Sequence, residues 1–206
     1  MKRIGNVYIH GSRKENKVAL TFDDGPSDET KEVLKLLKKY DAKATFFIWG
    51  QRIEGRESTM DKIIKEGHEI GNHSYEHKRL AFKSQEYIKN DLKKCDYKLD
   101  KFEVKTNLFR PPGLSMFYNL FKVCKRLEKK IIACDVISND WRKKGIEYSA
   151  KRVLGKTKNG SIINFHDYLE GIGRNEEIIP ILERILPELK NKYKFVTVSE
   201  LLFNSS

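Results

Sequence analysis

The chain has 206 residues, and 41 Lys+Arg against 29 Asp+Glu leave a formal charge of +12. That length allows one domain of generous size or two small ones, with a core that needs no disulfide or metal to hold it. An apolar content of 39% excludes a disordered chain, and 5 Pro with 13 Gly exclude collagen-like and linker compositions.

Apolar, β-rich runs alternate with segments of helical period. VALTF (18–22) reads as a buried strand. Ser27 then offers an N-cap, and Val33, Leu36, Leu37 and Tyr40 follow at helical spacing. ATFFIW (44–49) is a second strand, residues 60–65 a short helix, and 69–71 a short strand. Ile88, Leu92, Cys95 and Leu99 mark one face of a long helix; 107–109 is a strand. Phe117, Leu120, Phe121, Cys124 and Leu127 mark the next helix, and IIACDVI (131–137) reads as one strand. A helix over 147–154, a strand over 161–165 and a helical stripe of Ile178, Leu182, Ile185 and Leu189 follow; Pro180 and Pro187 bear on where that last helix starts and how straight it is. KFVTV (194–198) is the last strand, with SELL as a terminal turn. Unbroken alternation argues for a parallel sheet covered by helices. No linker or repeat divides the chain, so residues 1–206 read as one α/β domain.

The positive charge admits a nucleic-acid surface or a solvated exterior. Basic residues run along the whole chain, the Arg142-Lys143-Lys144 run included, and fall mostly on polar helix faces with acids nearby. They read as solvent coat, and no nucleic-acid partner is expected. Cys95, Cys124 and Cys134 form no C-x-x-C and sit among apolar residues, as reduced structural thiols do. No run reaches the length of a membrane span, and the first residues lack the apolar core of a secretory leader. The expectation is a cytoplasmic protein.

In parallel α/β folds, ligands bind at the C-terminal ends of the strands. Polar residues follow five predicted strands here: Asp23 and Asp24; His73 and His77; Arg110 with Pro111, Pro112 and Gly113; Asp140 and Trp141; His166 and Asp167. Adjacent carboxylates repel unless a cation is present. His-x-x-x-His lets both imidazoles face one ion, on a helical turn or in a tight loop. With Asp24 the set is two histidines and a carboxylate, which leaves coordination positions open and suits Zn²⁺, Co²⁺ or Fe²⁺. Arg110 can pair a carboxylate, the Asp167 neighbour favours a titratable role for His166, and Trp141 is either core or a platform for a sugar ring.

TFDDGP at 21–26, HSYEH at 73–77, RPPG at 110–113, DVISNDW at 135–141 and FHD at 165–167 resemble the five motifs of the polysaccharide deacetylases, in order. That family is also called the NodB-homology domain, or carbohydrate esterase family 4. GHEIGNHSYEH, KATFFIWG and FVTVSEL extend the likeness from about Lys17 to Leu202. The resemblance implies a distorted (β/α) barrel of about seven strands, TIM-barrel-related, which suits a chain shorter than the about 250 residues of a full eight-unit barrel. It implies one divalent metal, zinc before cobalt or iron, on Asp24, His73 and His77. It implies Asp23 as general base tuned by Arg110, and His166 as general acid tuned by Asp140, with Asp135 the alternative partner. Gly113 would supply a backbone donor, and Trp141 and Phe165 would wall the acetyl pocket.

Two positions depart from the family pattern. Gly113 stands where a tyrosine is usual, and Phe165 where a leucine precedes the histidine. Neither removes a ligand or a catalytic group. The function so implied is metal-dependent removal of N-acetyl groups from GlcNAc-containing glycans or oligosaccharides, of chitooligosaccharide or peptidoglycan type. O-acetyl ester or cyclic amide hydrolysis would use the same groups. A non-catalytic glycan or nucleic-acid binding module would be favoured by loss of a ligand or of His166, and neither is lost.

Overall fold

The structure, a computed structural model, describes residues 1–142 and 144–203; Lys143 lies outside them. In chain order its elements are β1 (Lys2–Ile4), β2 (Val7–His10), β3 (Lys17–Asp23), α1 (Asp28–Lys39), β4 (Ala44–Ile48), α2 (Glu57–Lys65), β5 (Glu69–Asn72) and α3 (Gln85–Asp100). Then come β6 (Leu108–Phe109), α4 (Tyr118–Arg126), β7 (Lys130–Ile132), β8 (Val136–Ile137), α5 (Ile146–Lys156), β9 (Ile162–His166), α6 (Ile178–Lys190), β10 (Lys194–Phe195) and α7 (Val198–Leu202). Short 3₁₀ turns lie at Gly50–Ile53, Pro112–Leu114 and Asp140–Arg142.

Strands β3 to β9 are all parallel and neighbour one another in the order β7-β6-β5-β4-β3-β9-β8. They curl into the seven-stranded barrel that the sequence implies. Its two ends, β7 and β8, share no ladder among the described residues. Residues 133–135 cross between them instead, and Asp135 accepts Ile162 N–H at 2.8 Å to anchor the crossing. The single strand expected over 131–137 is therefore two. Its middle leaves the sheet because the carbonyls of Ile132 and Ala133 turn to the Arg110 guanidinium, at 3.1 and 3.2 Å.

Side-chain alternation sorts the strands into two faces. Val18, Leu20, Phe22, Phe46, Ile48, Ile163 and Phe165 point outward, into a cluster with the apolar stripes of α1, α5 and α6. Each such side chain, fully buried, contributes about 1.5–3 kcal/mol. Ala19, Phe47, Leu108, Ile132 and Ile162 point inward and fill the lower barrel. The barrel floor is α7, whose Val198, Leu201 and Leu202 join that inner cluster. A capping box of Thr197 and Glu200 starts this helix. It ends the expected strand at Phe195 and makes SELL a helix rather than a turn.

Helix α6 runs through both prolines. Pro180 lies in the first turn, where no N–H is needed, and Pro187 sits inside the helix. The hairpin β1–β2 lies outside the barrel, with β2 parallel to β7. No element is predicted there from the apolar runs, although Gly5-Asn6 between apolar residues is a hairpin signal. The three cysteines are unpaired. Burial pushes their thiols up, Cys124 to about 12 and Cys134 to about 11, so they are inert at neutral pH. Among the described residues no helix is long and apolar enough to cross a membrane.

Candidate metal and catalytic site

Alternation along β3 sends Thr21 and Asp23 into the barrel. The Arg110 guanidinium, fully buried, meets them there. It donates to Asp23 Oδ1 at 2.8 Å and to Thr21 Oγ1 at 2.7 Å. Its plane lies over the Phe47 ring, with Cζ 4.2 Å from the centroid. Phe47 in turn requires Gly71, since a Cβ there would stand 2.5 Å from the ring. The second oxygen of Asp23 accepts Asn164 Nδ2 at 2.8 Å. Both carboxylate oxygens are thus fixed in direction.

At the strand ends the backbone bends sharply. Asp24, Ser74, His77 and Asn139 all adopt left-handed φ values of 75, 69, 58 and 65°. Such conformations cost of order 1–3 kcal/mol each and persist only when their surroundings enforce them. For the loop after β5 that enforcement is visible. Asn72 Oδ1 accepts Ser74 N–H at 2.7 Å, and Ser74 Oγ accepts His77 N–H at 3.1 Å. The Asp91 carboxylate on α3 accepts the N–H groups of Tyr75 and Glu76 at 3.1 and 2.9 Å. His-x-x-x-His is therefore a tight loop here, not a helical turn.

Asp24, His73 and His77 each offer a ligand atom, and these lie within 4.8 Å of one another. His73 Nδ1 stands 2.7 Å from the Arg110 carbonyl oxygen, and His77 Nδ1 3.0 Å from Glu170 Oε2. Each Nδ1 faces an acceptor and so carries the proton, which turns the Nε2 lone pair of the neutral ring toward Asp24. The two Nε2 atoms are 3.2 and 2.8 Å from Asp24 Oδ1. That oxygen is buried and has no hydrogen-bond partner among the described residues. Two imidazole lone pairs and an orphaned carboxylate oxygen aimed at one point fit a divalent cation. Trp49 stacks on His77 with centroids 4.5 Å apart and fixes its ring.

The same groups attract protons. Burial would lower His77, but the neighbouring Asp24 carboxylate, helped by Glu170, raises it above its ordinary value. Burial would raise Asp24, but the two imidazoles beside it, with the His166 charge beyond, hold it far below the carboxylate range. Cation and proton therefore compete for this site.

His166 closes the set. Its Nδ1 is 2.9 Å from Asp140 Oδ1, and its backbone N–H donates to Asp140 Oδ2 at 2.7 Å. Asn175 Nδ2 donates to Asp140 Oδ2 at 3.0 Å, and Ser138 Oγ to Oδ1 at 2.9 Å. Burial alone would lower the imidazole. The adjacent Asp140 charge and hydrogen bond, with Asp24 and Asp23 beyond, outweigh it and hold His166 up at about 10. Asp135 lies elsewhere, paired with Arg13 at 2.6 Å. Asp167 props the loop that carries the two aspartates. Thr30 donates to its carboxylate, Ser27 donates to its carbonyl oxygen, and a Cβ on Gly25 would lie 2.5 Å from its Oδ2. Burial pushes the Asp167 carboxyl up to about 7.

Asp23, Asp24, His73, His77, His166, Gly113 and Trp141 all line one cavity of about 530 Å³. Gly113 has φ 59°, and the Trp141 ring meets His166 edge-on at 5.0 Å. Phe165 does not line it. Strand alternation turns Phe165 to the outer face, where it is fully buried and stacks on Phe22 at 5.6 Å. The apolar wall is supplied by Ile137, Leu114 and Leu169. Sequence reasoning also missed Asn164, Asp91, Glu170 and Asn175. Only Asn164 carried a readable signal: a polar residue two before His166 in a strand shares its face.

This geometry predicts the metal behaviour of single variants. His73→Ala and Asp24→Ala are expected to lower Co²⁺ affinity at least about 100-fold, read by the visible d–d band, with a native circular dichroism spectrum. Wild-type affinity is expected to fall as pH is lowered, because protons displace the cation. Unchanged affinity in either variant would contradict the site.

Comparison with known proteins places the chain in a family. Residues 10–132 match the family model for polysaccharide deacetylase. The chain is 38% identical over 202 residues to a peptidoglycan-N-acetylglucosamine deacetylase of Bacillus cereus, covering 96% of this chain and 93% of that one. It is 33% identical over 192 residues to a peptidoglycan-N-acetylmuramic acid deacetylase of Bacillus subtilis, covering 89% of this chain but 38% of that protein. A solved peptidoglycan N-acetylglucosamine deacetylase, in complex with a naphthyl N-oxidanyl-benzamide, matches with a TM-score of 0.91 at 30% identity, over 98% of this chain and 94% of that one. With the family model matched over more than half of the chain and a relative of 38% identity covered nearly end to end, the chain belongs to the polysaccharide deacetylase family, carbohydrate esterase family 4.

Proposed function

We propose that this protein hydrolyses the N-acetyl amide of GlcNAc residues in peptidoglycan-type glycans, with zinc as its metal. The observation that carries the reading is one cavity holding a two-histidine, one-aspartate cluster together with an arginine-held carboxylate and an aspartate-held imidazole. The identity to the Bacillus cereus deacetylase over nearly its whole length supports the substrate class.

A divalent cation on Asp24, His73 and His77 supplies Lewis acidity toward water and the acetyl carbonyl. The chain's own residues do the rest. Asp23 accepts the proton of the attacking water as its oxygen bonds to the carbonyl carbon. Arg110 and Asn164 hold both Asp23 oxygens, so the base meets the water in one orientation. The Gly113 N–H is the backbone donor for the oxygen that gains charge. His166, charged at neutral pH, gives its proton to the nitrogen as the C–N bond breaks, and acetate and a free amine result. Trp141, Leu114 and Leu169 exclude water around the acetyl methyl.

Acetate release from N-acetylated peptidoglycan fragments and chitooligosaccharides tests the reading. Activity is expected to vanish on chelation and to return with Zn²⁺ or Co²⁺. Full activity after complete chelation, or no release from any N-acetyl glycan while O-acetyl sugars are cleaved, would overturn it.

Asp140→Asn tests the acid. The acid must be protonated, so activity is lost as pH rises through its pKa. Removing the Asp140 charge lowers that pKa by about 1–3 units. The basic limb of the kcat/KM profile is expected to move down accordingly, and an unmoved limb would refute the pairing.

A further inference from the structure

Two arginines in the cavity wall have no part in the chemistry above. Arg79 follows His77 on the loop after β5, and Arg142 follows Trp141 after β8; both line the cavity and both are exposed. The carboxylates in that wall are already engaged. Asp23 is held by Arg110 and Asn164, Asp24 faces the two histidines, and Glu170 binds His77. Among the described residues neither Arg79 nor Arg142 pairs with a carboxylate.

An exposed arginine is ordinarily solvated and signifies little. Position sets these two apart. Gly113 brings no side chain, and its Cβ, if present, would stand 3.8 Å from Arg79 Nε. The wall beside Gly113 is therefore a guanidinium. Arg142 Cζ lies 5.8 Å from the centre of the Trp141 ring, which itself touches the His166 edge. One guanidinium thus stands by the proposed oxyanion donor and the other by the indole that meets the proposed acid. Two uncompensated cations at one concave mouth concentrate anions there. Their planar, forked donors match a carboxylate in a bidentate manner.

We propose that Arg79 and Arg142 form an anion subsite at the cavity mouth, which takes a carboxylate carried by the glycan next to the acetylated sugar. This rests on the peptidoglycan reading above and deepens it. Peptidoglycan offers that carboxylate in two places: the lactyl ether of muramic acid when no peptide is attached, and the peptide when it is. Chitin offers none. The subsite therefore selects peptidoglycan over a neutral polymer of the same acetylated sugar.

Titration calorimetry on the zinc-loaded protein tests this without relying on turnover. Three probes are compared: a GlcNAc–MurNAc oligosaccharide with free lactyl carboxylates, its peptide-bearing counterpart, and neutral chitotetraose. At least one anionic probe is expected to bind about tenfold or more tightly than chitotetraose, with a preference that shrinks as salt is raised. The Arg79→Gln/Arg142→Gln double variant is expected to lose that preference, and Arg79→Lys/Arg142→Lys to keep part of it. Which anionic probe is preferred identifies the source of the carboxylate. Equal binding of all three probes, a preference unchanged in the double glutamine variant, or binding of none would overturn the proposal. Acetate release from chitotetraose by the same preparation reports separately on the deacetylase reading, so the two can fail independently.

Discussion

A guanidinium buried inside the barrel organises both the fold and the site. Taking Arg110 out of water costs several kcal/mol, and only a charged partner and well-made hydrogen bonds offset that. Asp23 is the partner, and Thr21 and the carbonyls of Ile132 and Ala133 accept the other donors. Those contacts tie β3, β6 and the end of β7 together. They also hold the carbonyls at the end of β7, where the chain crosses to β8 without pairing to it. The Phe47 ring beneath the guanidinium leaves room on β5 only for Gly71. Finally, the Arg110 carbonyl oxygen sets the proton on His73. One residue therefore aims the proposed base with its side chain and a proposed metal ligand with its backbone.

Much of the fold was legible because period and alternation are local properties. The strands over 18–22, 44–49 and 161–165 were read from apolar runs, and their partners follow from the parallel barrel. What was not legible depends on contacts from elsewhere in the chain. The split of 131–137 is imposed by Arg110, which follows another strand and lies 22 and 23 positions from the carbonyls it binds. The conversion of SELL into α7 follows from burial of Val198, Leu201 and Leu202 under the barrel. The capping box at Thr197 and Glu200 was in the sequence, but so was a good β-pattern, and packing decided between them.

The site divides in the same way. Asp24, His73 and His77 were readable because a carboxylate and two spaced imidazoles at strand ends have few other uses. The family likeness places Phe165 in the pocket, whereas strand period turns it to the outer face. In a strand, the neighbour of an inward His166 must point outward. The supports Asp91, Glu170 and Asn175 were invisible because each acts on residues distant in sequence. They are the groups that keep the strained turns at Ser74 and His77, and the Asp140 carboxylate, in place.

The formal charge of +12 bears on function at the cavity mouth, where Arg79 and Arg142 pair with no carboxylate among the described residues. The central claim is the division of labour between adjacent aspartates, Asp23 for the proton and Asp24 for the metal. The most direct measurement is acetate release alongside zinc affinity in Asp23→Asn, which keeps the side-chain shape. The account predicts near-native zinc affinity with turnover reduced about 100- to 10,000-fold. Native turnover, or loss of zinc together with activity, would contradict it.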